Sequence, residues 1–93
     1  MSDVTRKRYL NIAGAATTVV KAAPGSLFYI VNNKPVSTAT ITIYDNTAGS
    51  GTKIGTITNS TVVTPYFLEY ECRFETGLTI ITSGADDITV VYA

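Results

Sequence analysis

One stretch near the end of the chain constrains the fold more than any other. Tyr66, Leu68, Tyr70, Cys72 and Phe74 alternate with Glu69, Glu71, Arg73 and Glu75. Successive side chains of a strand point to opposite faces, so this period-two pattern predicts a strand with one apolar and one wet side. Thr76-Gly77 then turns the chain, and Leu78–Thr82 forms the next run. Ser83–Asp87 turns it again, and Ile88–Tyr92 runs almost to the last residue. Strand runs separated by turn clusters predict an antiparallel arrangement.

The remainder of the chain has the same grammar. Residues 6–12, 17–21, 27–31, 38–44 and 53–57 each combine β-branched or aromatic residues between Gly, Pro, Asn or Ser clusters. Leu27–Val31 is a continuous apolar run, which predicts a central strand buried on both faces. Thr38, Thr40 and Thr42 alternate with Ala39, Ile41 and Ile43. Gly55 weakens its strand and predicts an edge position. About eight strands at this spacing predict an all-β fold, an antiparallel β-sandwich of Greek-key or jelly-roll type. The whole chain, 1–93, reads as one domain, with residues 1–5 as a flexible N-terminal arm. Ile41, Ile43, Leu68, Tyr70, Cys72, Ile88 and Val90 are expected to face inward. Thr40, Thr42, Glu69, Glu71 and Thr89 are expected to face outward.

With 93 residues, the domain buries only ~60–65% of the surface its unfolded chain exposes. Ordering it costs roughly 1–2 kcal/mol per residue in backbone entropy. The margin is thin, and association with a partner is an expected source of added stability. The Ile54–Thr58 edge, which carries no guarding charge, is one place where a partner strand is expected. A formal net charge of zero argues against a general nucleic-acid binder, which needs a positive field. The single cysteine, Cys72, cannot form an intramolecular disulfide and is expected to pack as a small hydrophobe. Met1-Ser2-Asp3 leads into charge rather than an apolar signal segment, and no apolar run approaches the ~20 residues of a membrane helix. A soluble chain made in the cytoplasm is expected.

No constellation points to catalysis. The chain has no histidine, so proton transfer would fall to a carboxylate, lysine or tyrosine. Asp86 and Asp87 are adjacent, point apart, and suit a turn. Asp45 and Asn46 have the residue types of a calcium loop, but Thr47–Gly51 adds no second carboxylate. No metal or cofactor is expected. Two charge clusters remain. Arg6, Lys7 and Arg8 form a basic group at the start, and Glu69, Glu71 and Glu75 form an acidic strip. The basic group reads as an electrostatic tether to an acidic surface, such as the acidic strip of a neighbouring copy.

Three stretches carry a family likeness: Val19–Leu27, Ile43–Ile54 and Gly77–Val90. In these the chain, over residues 17–93, resembles small all-β virion proteins of tailed bacteriophages. The resemblance implies a capsid decoration (cement) protein or the base of a head fibre. It further implies a compact β-sandwich, often trimeric, seated on the capsid surface of the virion. The implied partners are the major capsid protein and further copies of the chain. The family offers no catalytic residues to carry over. Two other readings stay open: a carbohydrate- or cell-surface-binding module using exposed tyrosines and the acidic strip, and a head–tail or tail structural component.

Overall fold

The computed structural model describes residues 6–93. The expected arm, residues 1–5, lies outside the described residues. Eight strands follow one another: β1 (Arg8–Ala13), β2 (Ala16–Lys21), β3 (Gly25–Lys34), β4 (Thr40–Asp45), β5 (Thr52–Thr58), β6 (Tyr66–Phe74), β7 (Leu78–Thr82) and β8 (Asp87–Tyr92). They form two four-stranded sheets, ordered β1-β8-β3-β6 and β2-β7-β4-β5. Every pairing is antiparallel. Successive strands alternate between sheets except at β4–β5, which is the wiring of an eight-stranded jelly roll.

The inner faces meet in one apolar layer. Ile12, Leu27, Ile30, Ile41, Ile43, Phe74, Leu78, Ile80, Ile88 and Val90 are buried together. Four of the seven residues expected inward, Ile41, Ile43, Ile88 and Val90, are fully buried. Tyr70 and Cys72 pack half-buried against this core. Leu68 is also half-buried. These three sit on β6, an edge strand, so one flank of each stays near solvent. Burial, and then the nearby Asp45 carboxylate, push the Cys72 thiol above its ordinary value of 9.0. Tyr70 closes the corner between the sheets. A side-chain carbon on Gly55 would lie 2.9 Å from the Tyr70 hydroxyl. A side chain there would have to displace the Tyr70 hydroxyl, which favours glycine, and β5 is indeed an edge strand.

Two strand expectations need correction. Leu27–Val31 is not buried on both faces: Leu27 and Ile30 are buried, while Phe28, Tyr29 and Val31 are half-exposed. The reason is a bulge. Between Leu27 and Tyr29, β3 advances two residues while β8 advances one and β6 advances three. The extra step turns the intervening side chains off the core. Thr38 does not belong to β4. It lies in a turn at a φ of 61°, and β4 begins at Thr40.

A second feature was not foreseen. Asp86 is not a solvated turn residue but is fully buried at one end of the sandwich. Asn32 Nδ2 and Asn59 Nδ2 donate to its Oδ2 at 2.8 and 2.7 Å. Asn32 Nδ2 also reaches the Tyr66 hydroxyl at 3.2 Å, and that hydroxyl donates to Asn59 Oδ1. The four residues close a ring. Asn59 Nδ2 also donates to Val36 O at 2.9 Å, tying in the β3–β4 loop. Among the described residues, Asn32 Oδ1 and Asp86 Oδ1 have no hydrogen-bond partner.

Asp86→Ala should therefore be among the most damaging single changes. It strips the acceptor from two buried amides, at a cost of about 2–4 kcal/mol. Asp86→Asn keeps an acceptor for the two buried amides, so it should cost less. Thermal midpoints check the order, at roughly 4–8 °C per kcal/mol for a domain this size. For Cys72, the raised thiol and partial burial predict slow alkylation at neutral pH in the native protein and fast alkylation in denaturant. Comparable rates in both would place the side chain in solvent.

Candidate functional site

The outer faces of the two sheets differ. On the β2-β7-β4-β5 sheet, register aligns Thr17, Ile81, Thr42 and Thr56 across the strands. The β4–β5 loop folds back over this face. A side-chain carbon on Gly49 would lie 2.6 Å from Ile81 Cδ1. Thr79 is fully buried beneath the loop, and its hydroxyl donates to Asn46 O at 2.7 Å.

The outer face of the β1-β8-β3-β6 sheet carries two rows. Tyr9, Val91, Tyr29 and Glu69 lie opposite one another in the first. Asn11, Thr89, Val31 and Phe67 do so in the second. Tyr9 is 77% exposed and Phe67 63%. Tyr29 and Phe67 meet edge to face, with ring centroids 6.1 Å apart. Exposed aromatic rings on one sheet face make it a candidate interaction surface. Beside them lies a polar cluster. Asn11 Nδ2 donates to Asp87 Oδ1 at 2.6 Å, and Asn33 Nδ2 donates to Thr89 Oγ1 at 3.0 Å and to Asp87 Oδ1 at 3.3 Å. Asp87 thus points outward while Asp86 points inward, as their adjacency requires. This aromatic face is a candidate surface that the sequence reading did not single out. Its signal was present in the outward phase of Tyr9, Tyr29, Phe67 and Val91, but only the strand order brings the four together.

The two expected charge clusters stand at opposite edges of this sheet. Arg8 opens β1, opposite Tyr92. Arg6 precedes the strand, and Lys7 Nζ sits 4.6 Å from the centre of the Phe28 ring, a cation–π contact. Glu69 and Glu71 are exposed on β6, the other edge. Three strand spacings of about 4.8 Å separate the edges, or about 14 Å. Glu75 departs from the expected strip. β6 ends at Phe74, and Glu75 lies in the following turn, where Arg73 Nε donates to its Oε1 at 3.1 Å. Among the described residues, Arg8, Glu69 and Glu71 form no ion pair. Glu71 also takes a φ of 49°, at the bulge that interrupts β6.

The loop with calcium-type residues has another job. Asp45 Oδ1 accepts from the backbone N–H groups of Glu75, Thr76 and Gly77 at 3.0, 2.8 and 3.4 Å. Its Oδ2 accepts from Glu75 N–H at 2.9 Å. Asn46 folds over its own loop, accepting from Thr47 N–H and donating to Ser50 O. The pair therefore stitches the β4–β5 loop and the β6–β7 turn. Among the described residues, no group of three or more His, Cys, Asp or Glu is placed to hold a metal. The described surface opens no pocket, and no described helix is long and apolar enough to cross a membrane. Comparison with protein-family models, with curated proteins and with solved structures gives no match.

The turn stitched by Asp45 has a pH signature. The N–H groups of Glu75 and Thr76, and more weakly Gly77, hold the Asp45 carboxyl below its ordinary value of 3.8. A carboxyl lowered by folding stabilises the native state above its unfolded value and loses that contribution as pH falls through the folded one. The stability gap between the native protein and Asp45→Asn should hold from neutrality to about pH 4 and shrink below it. Denaturant unfolding at a series of pH values measures this. A gap that does not change with pH would remove Asp45 as the ionised cap.

Proposed function

We propose that this chain is a structural protein of a tailed-phage virion, a decoration or cement protein that docks on the capsid surface and reinforces it. The observation that carries the reading is the contrast between the faces. One outer face is mostly Thr with the chain's own loop packed on Ile81, while the other carries exposed Tyr9 and Phe67 beside half-buried Tyr29, Val31 and Val91. A flat aromatic sheet face suits a broad protein surface. The jelly roll adds support, since this wiring serves viral coat proteins as well as lectins. The likeness of Val19–Leu27, Ile43–Ile54 and Gly77–Val90 to small phage virion proteins points the same way.

The role asks for no reaction. A protein that binds only the assembled lattice stabilises it by RT ln(1 + [L]/Kd), about 2.7 kcal/mol per site at a hundredfold excess over Kd. One observation favours a second reading. Tyr9 stands beside the Asn11, Asn33, Asp87 and Thr89 cluster, and an aromatic ring next to amides and a carboxyl suits a sugar.

Antibody against the chain should label intact particles of its source by immunogold microscopy. Val31→Glu changes only an outward residue on the proposed docking face, so its stability should stay within about 0.5 kcal/mol of the parent. The variant should nevertheless be depleted from purified particles. Unlabelled particles, or undiminished incorporation of the variant, would reject docking through this face. Retention of the parent chain on a glycan array, lost in Tyr9→Ala, would move the assignment to the sugar-binding reading.

A further inference from the structure

The buried ring at the end of the sandwich leaves two oxygens unaccounted for. Asp86 Oδ2 takes both amide donors, from Asn32 and Asn59. Asp86 Oδ1 and Asn32 Oδ1 take none, although both side chains are fully buried. These two oxygens belong to the same pair of head groups that the 2.8 Å bond between Asn32 Nδ2 and Asp86 Oδ2 joins. Among the described residues, Asp86 forms no ion pair. A carboxylate enclosed in this way is costly unless a positive charge or a metal ion lies against it. We infer that the ring holds one sodium-sized monovalent cation, bound by Asp86 Oδ1 and Asn32 Oδ1.

The chemistry of the donors selects the ion. Carboxylate and amide oxygens are hard ligands and suit hard cations. One carboxylate balances one positive charge, whereas a divalent ion would leave an excess charge buried. Magnesium is further disfavoured, because it keeps several of its waters. The described surface opens no pocket, so a bare ion fits where an organic ligand does not. A bridging water would donate to both oxygens, but it would bring no charge to offset the carboxylate. The unpaired carboxylate oxygen faces two connections. A side-chain carbon on Gly84 would lie 3.3 Å from Asp86 Oδ1 and 3.4 Å from Val36 Cβ. Backbone carbonyls of the β7–β8 turn and the β3–β4 loop complete the shell in this proposal, since each carbonyl has two lone pairs. A ligand that only the native state can hold adds to folding stability. The site rests neither on the capsid reading nor on the aromatic face.

The test is the thermal midpoint of the full chain, dialysed free of metal ions, in sodium, potassium and choline chlorides at equal ionic strength. Above the dissociation constant, each tenfold rise in sodium, with choline making up the balance, should raise the midpoint by roughly 5–10 °C. Potassium should raise it less. Asp86→Asn removes the charge but keeps an acceptor for the two amides, so it should fold and lose the sodium dependence. Sodium-23 NMR gives a second readout that needs no variant. The sodium line should broaden in the native chain and sharpen when denaturant unfolds it. Equal midpoints in sodium and choline, or a line that does not broaden, would overturn the proposal and leave a water or a proton at the unpaired oxygens. A sodium response that persists in Asp86→Asn would place the ion elsewhere and overturn it as well. A stronger response to millimolar calcium than to sodium would overturn the monovalent assignment.

Discussion

A carboxyl buried where the sandwich ends organises much of the rest. Asp86 is fully enclosed and gathers two amides that arrive from distant parts of the chain. Asn32 lies on β3, Asn59 on the crossover after β5, and Tyr66 at the start of β6. The jelly roll must bring these segments together although local sequence gives them no reason to meet. An apolar contact at that point would tolerate sliding. A ring of directional hydrogen bonds does not, because a one-residue slip would leave buried amides unpaired. The ring therefore fixes register at the place where two strands and two connecting segments converge. Its cost is the two acceptors left without a donor, and this makes the ring a site of specificity more than of net stability.

Local structure was legible where one residue determines the next. The alternation of β6 appears in its burial, which runs half-buried and exposed in turn to fully buried Phe74. Ile41, Ile43, Ile88 and Val90 likewise follow from period two alone. What escaped was decided by distant pairing. The apolar run of β3 gives no hint that its partners advance by different numbers of residues, so the outward turn of Phe28 and Tyr29 could not be seen. Asp86 and Asp87 look equivalent as neighbours, and only the packing of Asn32 and Asn59 sends one inward. Asp45 has the composition of an ion-binding loop. The free N–H groups of the β6–β7 turn, thirty residues later in sequence, decide its actual role. The aromatic face had the same history, since its members come from β1, β3, β6 and β8.

One loop accounts for part of the asymmetry of the two outer faces. Asp45 and Asn46 hold the β4–β5 connection against the β6–β7 turn and over Thr79. That fold-back packs against Ile81, while Thr17, Val19 and Thr56 on the same face stay exposed. The connections around the other sheet leave Tyr9 and Phe67 exposed on its outer face. The two faces thus differ in aromatic character more than in how much of each is covered.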